Sequence, residues 1–446
     1  MKRVAIIGGG PIGMEAALYG SLAGCEVTLF ERGRIADNVR SWGYVRVFTE
    51  WKRNRSPLAV RLLGERGVEL PPEETTSTGD ELASYVARLA EFPELRGCIR
   101  PQSEVLAIAR ERTLRSDFIG DPRRAERPFR LLVRGPGGEK IVHADAVIDA
   151  SGVYLTPNFV GNGGMPCPGE RELGSRIDYA IPDVEGRDRA RFANKTTLVV
   201  GSGHSAASTL RAVGDLFGEH PQTRIVWAVR RDVPEHGNPY TLIPDDPSTT
   251  RNALHTRANE LTRDERVDFH PRTVVDKIAP SGRGFRVTLL SSSHHELSTC
   301  EVEVDNIAAH TGFRPDMALY AELAVQIHPA TGAPYRLGEA LVEANHRQGV
   351  GLSTGYAERP QHSDGDKGAQ QEEKEELEEK VVDKWRFSPN DPALLQTGEQ
   401  NFFVLGIKSY GRDAGFLMQN GFRQVRDAYR LLLDDPSLDL YDGALD

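Results

Sequence analysis

The chain has 446 residues, a formal net charge of −10 and 39% apolar residues, enough for two or three domains with sizeable cores. No basic tract tracks a nucleic-acid backbone, and no stretch approaches about 18 uninterrupted apolar positions, so nucleic acid and a membrane span are excluded as partners. The short apolar run after Met1-Lys2-Arg3 passes straight into glycines, unlike a secretory leader, and a cytoplasmic location is expected.

Residues 1–32 read as strand, turn, helix and strand. Val4-Ala5-Ile6-Ile7 feeds Gly8-Gly9-Gly10-Pro11-Ile12-Gly13, and Glu26-Val27-Thr28-Leu29-Phe30 ends in Glu31 and Arg32. A buried parallel strand entering G-x-G-x-x-G and then a helix is the arrangement that holds a dinucleotide. Gly8 permits the tight turn, Gly10 lets the backbone approach a pyrophosphate, and Gly13 lets helix and strand pack closely. Pro11 and Ile12 begin the helix whose N-terminus meets the negative charge. Glu31 would accept hydrogen bonds from an adenosine ribose and repel a 2′-phosphate, so FAD or NAD fits here and NADP does not. Arg32 is counted with this site.

Residues 34–70 read as loop, with aromatic residues that include Trp42 and Trp51. A helix capped by Thr78 follows, apolar at Leu82, Tyr85, Val86 and Leu89. Strands are expected over 104–108, where Val105 is counted with the cofactor site, and over 129–133. Pro136-Gly137-Gly138 then sets up a hairpin. The strand Ala144–Ala150 ends in Ser151-Gly152, where backbone can meet a ligand. Proline and glycine concentrate over 156–175, read as a crossing between domains.

A second α/β unit spans about 190–300. Thr197-Leu198-Val199-Val200 enters Gly201-Ser202-Gly203-His204-Ser205-Ala206, a second dinucleotide turn in which His204 covers the pyrophosphate. The matching strand Arg224–Val229 ends in Arg230-Arg231. Guanidiniums there suit a 2′-phosphate, which arginine grips bidentately, although a strand end in solvent can look the same. A strand at 302–305 leads into Ala308–Asp316, with Gly312 at its turn. Residues 357–385 are highly charged and read as a solvated insertion. Core character returns with a strand at 402–406 and an amphipathic helix opening at 416–418. Cys25, Cys98, Cys167 and Cys300 lie far apart without a C-x-x-C, so no redox dithiol is expected. No metal site is expected.

The whole order resembles the two-dinucleotide-binding flavoproteins, and within them the flavin-containing, class B monooxygenases and their bacterial relatives. Gly8-x-Gly10-x-x-Gly13 with Glu31, Asp149-Ala150-Ser151-Gly152, Gly201-x-Gly203-x-Ser205-Ala206, Trp227-x-x-Arg230 and Thr311-Gly312-Phe313-Arg314-Pro315 carry the resemblance. Gly406-Ile407-Lys408-Ser409-Tyr410-Gly411-Arg412 looks like a signature of a bacterial branch. The resemblance implies an α/β fold with two Rossmann-like domains, the FAD domain being interrupted by a nested NAD(P)H domain. The expected bounds are 1–175 and 303–446 for FAD and 176–302 for NADPH. It also implies a monooxygenase that uses FAD, NADPH and O2 to oxygenate a small soft nucleophile (nitrogen, sulfur or an arsenical) through a C4a-hydroperoxyflavin. A homodimer is compatible with it. Lys408, Ser409 and Arg412 become the polar candidates beside the flavin, and Trp42 either walls the flavin or belongs to the core.

Two departures stand out. Phe159-Val160-Gly161 begins the family's linker motif, but Cys167 and prolines stand where its histidine belongs. Glu50 occupies the place of an asparagine that supports oxygenation. The alternatives are a flavin reductase or dehydrogenase without oxygen transfer, and a sensor that holds the cofactors without turnover.

Overall fold

The computed structural model describes residues 1–233, 238–242, 249–293, 296–347 and 391–445. The charged segment 357–385 lies outside the described residues. In chain order the strands are β1 (Arg3–Ile7), β2 (Glu26–Phe30), β3 (Arg46–Glu50), β4 (Thr76–Thr78), β5 (Ile99–Arg100), β6 (Glu104–Arg110), β7 (Phe129–Gly135), β8 (Gly138–Ala144) and β9 (Ala146–Asp149). They continue with β10 (Thr196–Val200), β11 (Arg224–Ala228), β12 (Val267–His270), β13 (Thr273–Ser281), β14 (Gly284–Ser293), β15 (Glu296–Val304), β16 (Asn306–Ala309) and β17 (Phe402–Val404).

Two units form, Met1–Thr156 with Arg314–Asp446, and Pro157–Phe313 nested between them in sequence. In the first, a parallel sheet has the order β17-β9-β1-β2-β5. β1 and β9 are apolar on both faces because helices and a second sheet cover them, the usual state of central parallel strands. The helix Pro11–Leu22 lies against this sheet and is buried along most of its length, from Ile12 to Gly20. The meander β6-β7-β8 packs its inward residues, Ile108, Phe129, Leu131 and Val133, with Ile7 and Phe30. Buried Glu399 braces this region. Its two oxygens accept from Nε of Arg110 and of Arg124, each at 2.8 Å, just before β17 begins.

The nested unit repeats the theme. Four parallel strands run β12-β11-β10-β16, and the antiparallel meander β13-β14-β15 accompanies them. The α/β fold with two Rossmann-like domains therefore stands. The nested unit begins at Pro157, so the proline- and glycine-rich stretch after it belongs here. Bridges Pro157–Phe313 and Gly161–Val275 hold it, and buried Glu170 accepts from the amides of Val160 (2.9 Å) and Cys167 (3.1 Å) and from the Tyr179 hydroxyl (2.8 Å).

One local expectation fails. Residues 34–70 are not all loop, since a helix spans Pro57–Glu65. Ser56 caps it by accepting from the Ala59 amide, Pro57 pre-sets its first turn, and Leu58, Leu62 and Leu63 are buried. The strand expected at 302–305 closes β15, which ends at Val304, and after Asp305 β16 enters the parallel sheet beside β10. The helix after Thr78 keeps its full capping box with Glu81.

Candidate functional site

Three glycines of the first turn do different work. Gly8 has φ +102°, and a Cβ there would lie 2.6 Å from the Ala150 carbonyl oxygen. A Cβ on Gly13 would lie 1.8 Å from the Gly8 oxygen. Both positions need glycine for close packing. Gly10 differs, because a Cβ there meets nothing within 4 Å and its backbone (φ −80°, ψ −175°) suits any residue. The open side of Gly10 is therefore a cradle. The helix that follows starts with Pro11 and has neither a side-chain cap nor an acidic residue in its first turn. Its first amides lack intrahelical partners and present positive charge to an anion.

Glu31 is fixed beside this cradle. One oxygen accepts from the Gly9 amide at 2.6 Å, the other from the Gly33 amide at 2.7 Å. A carboxylate locked to the turn fits the adenosine ribose of FAD. Arg32 is exposed. Val105 is buried in β6, within the cluster that holds Ile7 and Phe30. Trp42 is half-buried, edge-on to Tyr154 at 5.3 Å, and its Cβ would be 2.6 Å from a Cβ on Gly79.

Because Gly10 tolerates a side chain sterically, Gly10→Val should fold normally and lose FAD, the new side chain standing where the pyrophosphate must come. The flavin-to-protein absorbance ratio of the purified variant should fall close to zero while its circular dichroism matches wild type. A fully yellow Gly10→Val protein would place the FAD elsewhere.

The C-terminal turn Gly406–Tyr410 completes this side of the first unit. A Cβ on Gly406, at φ +71°, would sit 3.3 Å from Ile12 Cγ1, so the turn packs directly on the start of the first helix. Lys408, expected as a cation at the reacting ring, is buried. Its ammonium donates to Asp149 Oδ2 (2.7 Å) and Ser151 Oγ (3.0 Å) and lies over the Tyr320 ring at 5.3 Å. The other Asp149 oxygen accepts from the Ser151 amide at 3.0 Å. Ser409 is also buried, its hydroxyl donating to the Gly406 carbonyl (2.7 Å) and accepting from Gln424 Nε2 (2.8 Å). These contacts hold the Lys408 and Ser409 side chains within the first unit. Arg412 is exposed, with its amide on the Thr331 carbonyl at 2.7 Å. Glu50 ends β3 and pairs with Lys52 at 2.8 Å. Gly152 is left-handed (φ +74°) and open.

Asp149 was legible as part of a turn and not as a site residue. Its signal was a lone carboxylate closing an apolar central strand, which burial makes costly without a cation.

In the nested unit, Gly201 has φ +122°, and a Cβ there would lie 2.3 Å from the His310 carbonyl oxygen. Gly203 again opens on nothing within 4 Å, and the helix His204–Gly214 starts without a side-chain cap. Ser205 is half-buried in its first turn. His310 is fully buried, its Nε2 at 2.8 Å from Thr209 Oγ1, and burial pushes its pKa down to about 4. Arg230 is exposed at the end of β11. Arg231 is engaged inside the unit, donating to the Pro239 carbonyl with its guanidinium 6.0 Å from the Tyr240 ring centre. Gly312 is tied within its own unit, its carbonyl accepting from the Asn158 amide at 2.9 Å.

Residues 3–37 match the family model described as pyridine nucleotide-disulphide oxidoreductase. A search of curated protein sequences finds no match. Among solved structures the chain is similar to a bacillithiol disulfide reductase from Bacillus cereus (TM-score 0.60, 17% identity, covering 96% of this chain and 97% of that one). It is also similar to a thioredoxin reductase from T. acidophilum (0.54, 14%, 97% and 100%) and to an ornithine hydroxylase from Pseudomonas aeruginosa (0.54, 14%, 97% and 99%). The fold is thus that of the FAD- and NAD(P)-binding oxidoreductases. Among the described residues, no helix is long and apolar enough to cross a membrane.

Proposed function

We propose that this chain is an FAD-dependent, NADPH-consuming monooxygenase that oxygenates a small soft nucleophile carrying nitrogen, sulfur or arsenic. The first turn with Glu31 would hold FAD, and the second, with Arg230, would hold NADPH. Bound there, the flavin supplies hydride acceptance from NADPH and two-electron chemistry with O2.

One observation carries the reading that electrons leave the flavin without a protein relay. Ligands in such sheets bind beyond the carboxyl ends of the strands. Cys25 and Cys98 immediately precede β2 and β5, β2 pairing parallel with β1 and β5 with β2, so both thiols sit at the opposite, amino edge of the sheet. The nested unit's Cys167 is buried, its thiol pushed up to about 12, and Cys300 is exposed on β15. All four are free thiols. A dithiol-relay reductase lacks its machinery here, so the flavin's electrons would pass directly to oxygen or to a small acceptor.

The protein's own part is to bind, orient and exclude water. Lys408, Asp149 and Ser151 fix the turn under the cradle, while Gln424 ties the Gly406 amide (2.8 Å) to Ser409. Trp42 and Tyr154 add apolar bulk in the same unit. Glu50 favours a second reading, an NADPH-dependent reductase passing electrons to a small acceptor, since an anion replaces the asparagine of the resembled family. The test measures NADPH consumed, peroxide released and product formed over a panel of amines, sulfides and arsenicals. A substrate that suppresses peroxide and is oxygenated one-for-one with NADPH establishes the monooxygenase. Stoichiometric peroxide throughout the panel, with rapid turnover on small disulfides or quinones, establishes the reductase.

A further inference from the structure

We propose that Tyr240, Asn259 and Arg231 form a strap that holds the second glycine turn in its phosphate-binding shape, making Tyr240 and Arg231 positioning residues for the nicotinamide dinucleotide. The proposal rests on the reading that this turn holds that dinucleotide.

A glycine-rich turn has no side chains to fix it and loses much backbone freedom when it grips a ligand. Here two of its carbonyls are tied from below. The Trp227 indole N–H donates to the Gly201 carbonyl at 2.9 Å, and the Tyr240 hydroxyl donates to the Gly203 carbonyl at 3.1 Å. Both rings are fully buried. Securing the carbonyl edge leaves the outer, open side of Gly203 for a phosphate.

Tyr240 is itself held on every side. Asn259 accepts from its amide (2.9 Å) and donates to its carbonyl (2.8 Å), a reciprocal pair. Its ring stacks on buried His255 (4.7 Å, 20° between planes) and lies near-parallel to Trp227 (5.9 Å, 20°). His255 in turn stacks on His204, the first residue of the helix, at 5.1 Å and 11°. A column of four rings, His204, His255, Tyr240 and Trp227, thus runs from the helix start to β11. Arg231 ties the preceding residue by donating to the Pro239 carbonyl. Its guanidinium serves the strap, which leaves exposed Arg230 as the cation for a 2′-phosphate. Asp232, the neighbouring acid that would repel such a phosphate, is paired with Arg272 at 3.1 Å.

A turn already in its bound shape spares the dinucleotide the cost of ordering it, whichever nucleotide binds. The strap therefore acts on NADP⁺ and NAD⁺ equally, whereas a phosphate contact acts on NADP⁺ alone. Calorimetric titration of the FAD-loaded protein with each nucleotide separates the two. Tyr240→Phe and Arg231→Ala should each weaken both nucleotides by the same factor, about three- to tenfold, with FAD content and melting temperature kept. Arg230→Ala should weaken NADP⁺ alone, by roughly ten- to a hundredfold. Selective loss of NADP⁺ in Arg231→Ala would make Arg231 the phosphate contact and overturn the strap. Unchanged affinities in Tyr240→Phe, with or without a fall in melting temperature, would also overturn it. Wild-type protein that binds neither nucleotide would instead remove the reading on which the strap rests.

Discussion

Lys408→Met should destabilise the protein by about 3–5 kcal/mol, the range found when one partner of a buried ion pair is removed. Asp149 is fully buried and Lys408 nearly so, with the ammonium 2.7 Å from the carboxylate. Methionine fills the space and leaves the charge unanswered. The loss should fall on FAD as well, because Asp149 also holds the Ser151 amide, next to the backbone that Gly8 packs against. The double variant Asp149→Asn with Lys408→Met removes both charges and should recover more than half of the lost stability, a strongly non-additive cycle. Denaturant midpoints and FAD per chain for the four proteins give the answer. A Lys408→Met protein with wild-type midpoint and full FAD, altered only in its reaction with NADPH or oxygen, would return Lys408 to the reacting centre.

That contrast shows what a sequence can and cannot carry. The tight packing at Gly8 and Gly13 and the open backbone at Gly10 were legible because a strand, a turn and a helix contiguous in the chain dictate them, and the place of Glu31 because the second strand returns it to the same end of the sheet. The partner of Lys408 was not, since Asp149 is 259 residues away and only the pairing of β17 with β9 brings their elements together. The engagement of Arg231 by the Pro239 carbonyl was equally hidden. It depends on where Pro239 and Tyr240 come to rest, and two adjacent arginines at a strand end look alike in a sequence. The helix Pro57–Glu65 was different, for its Ser-Pro start and apolar spacing were present, and the surrounding aromatic and charged residues obscured them.

The pattern of charges around the first cradle has a physical logic. Groups that would compete with a pyrophosphate are engaged elsewhere: Glu31 by two amides, Asp149 by Lys408. The helix start itself carries no acid. Attraction for an anion bound there would be left to backbone dipoles, whose orientation is set by the fold and needs no reorganisation when the anion arrives.

Glu15 carries the second large effect, and it concerns pH. It lies in the helix that begins at the first cradle, is fully buried, and accepts from the Ser56 hydroxyl at 2.7 Å and the Tyr441 hydroxyl at 3.0 Å. An amphipathic reading assigns a helical glutamate to solvent, but this helix is covered on nearly every side. Burial pushes the Glu15 pKa up to about 7, the two hydroxyls opposing that only in part. Tyr85 and Tyr441, which also face it, are held protonated by the same burial. The folded chain thus keeps a proton that the unfolded chain releases near pH 4.5. Stability is undiminished by this group below that pH, declines as pH rises from there to about 7, and is then level, with a total loss of roughly 3 kcal/mol. Glu15→Gln stays neutral throughout and can still accept one hydroxyl. At pH 8 it should be more stable than wild type by roughly 2–3 kcal/mol, and at pH 4.5 no more stable. Other groups titrate in the same range, His310 among them with the opposite sign, because its lowered pKa makes the fold gain stability as pH rises above about 4. The difference between wild type and Glu15→Gln cancels those contributions and isolates Glu15. Denaturation midpoints at half-unit steps from pH 4.5 to 8 should therefore give two curves that meet at the acid end and diverge toward the alkaline end. Parallel curves would mean that Glu15 is already ionised in the fold, its charge satisfied by Ser56 and Tyr441 alone.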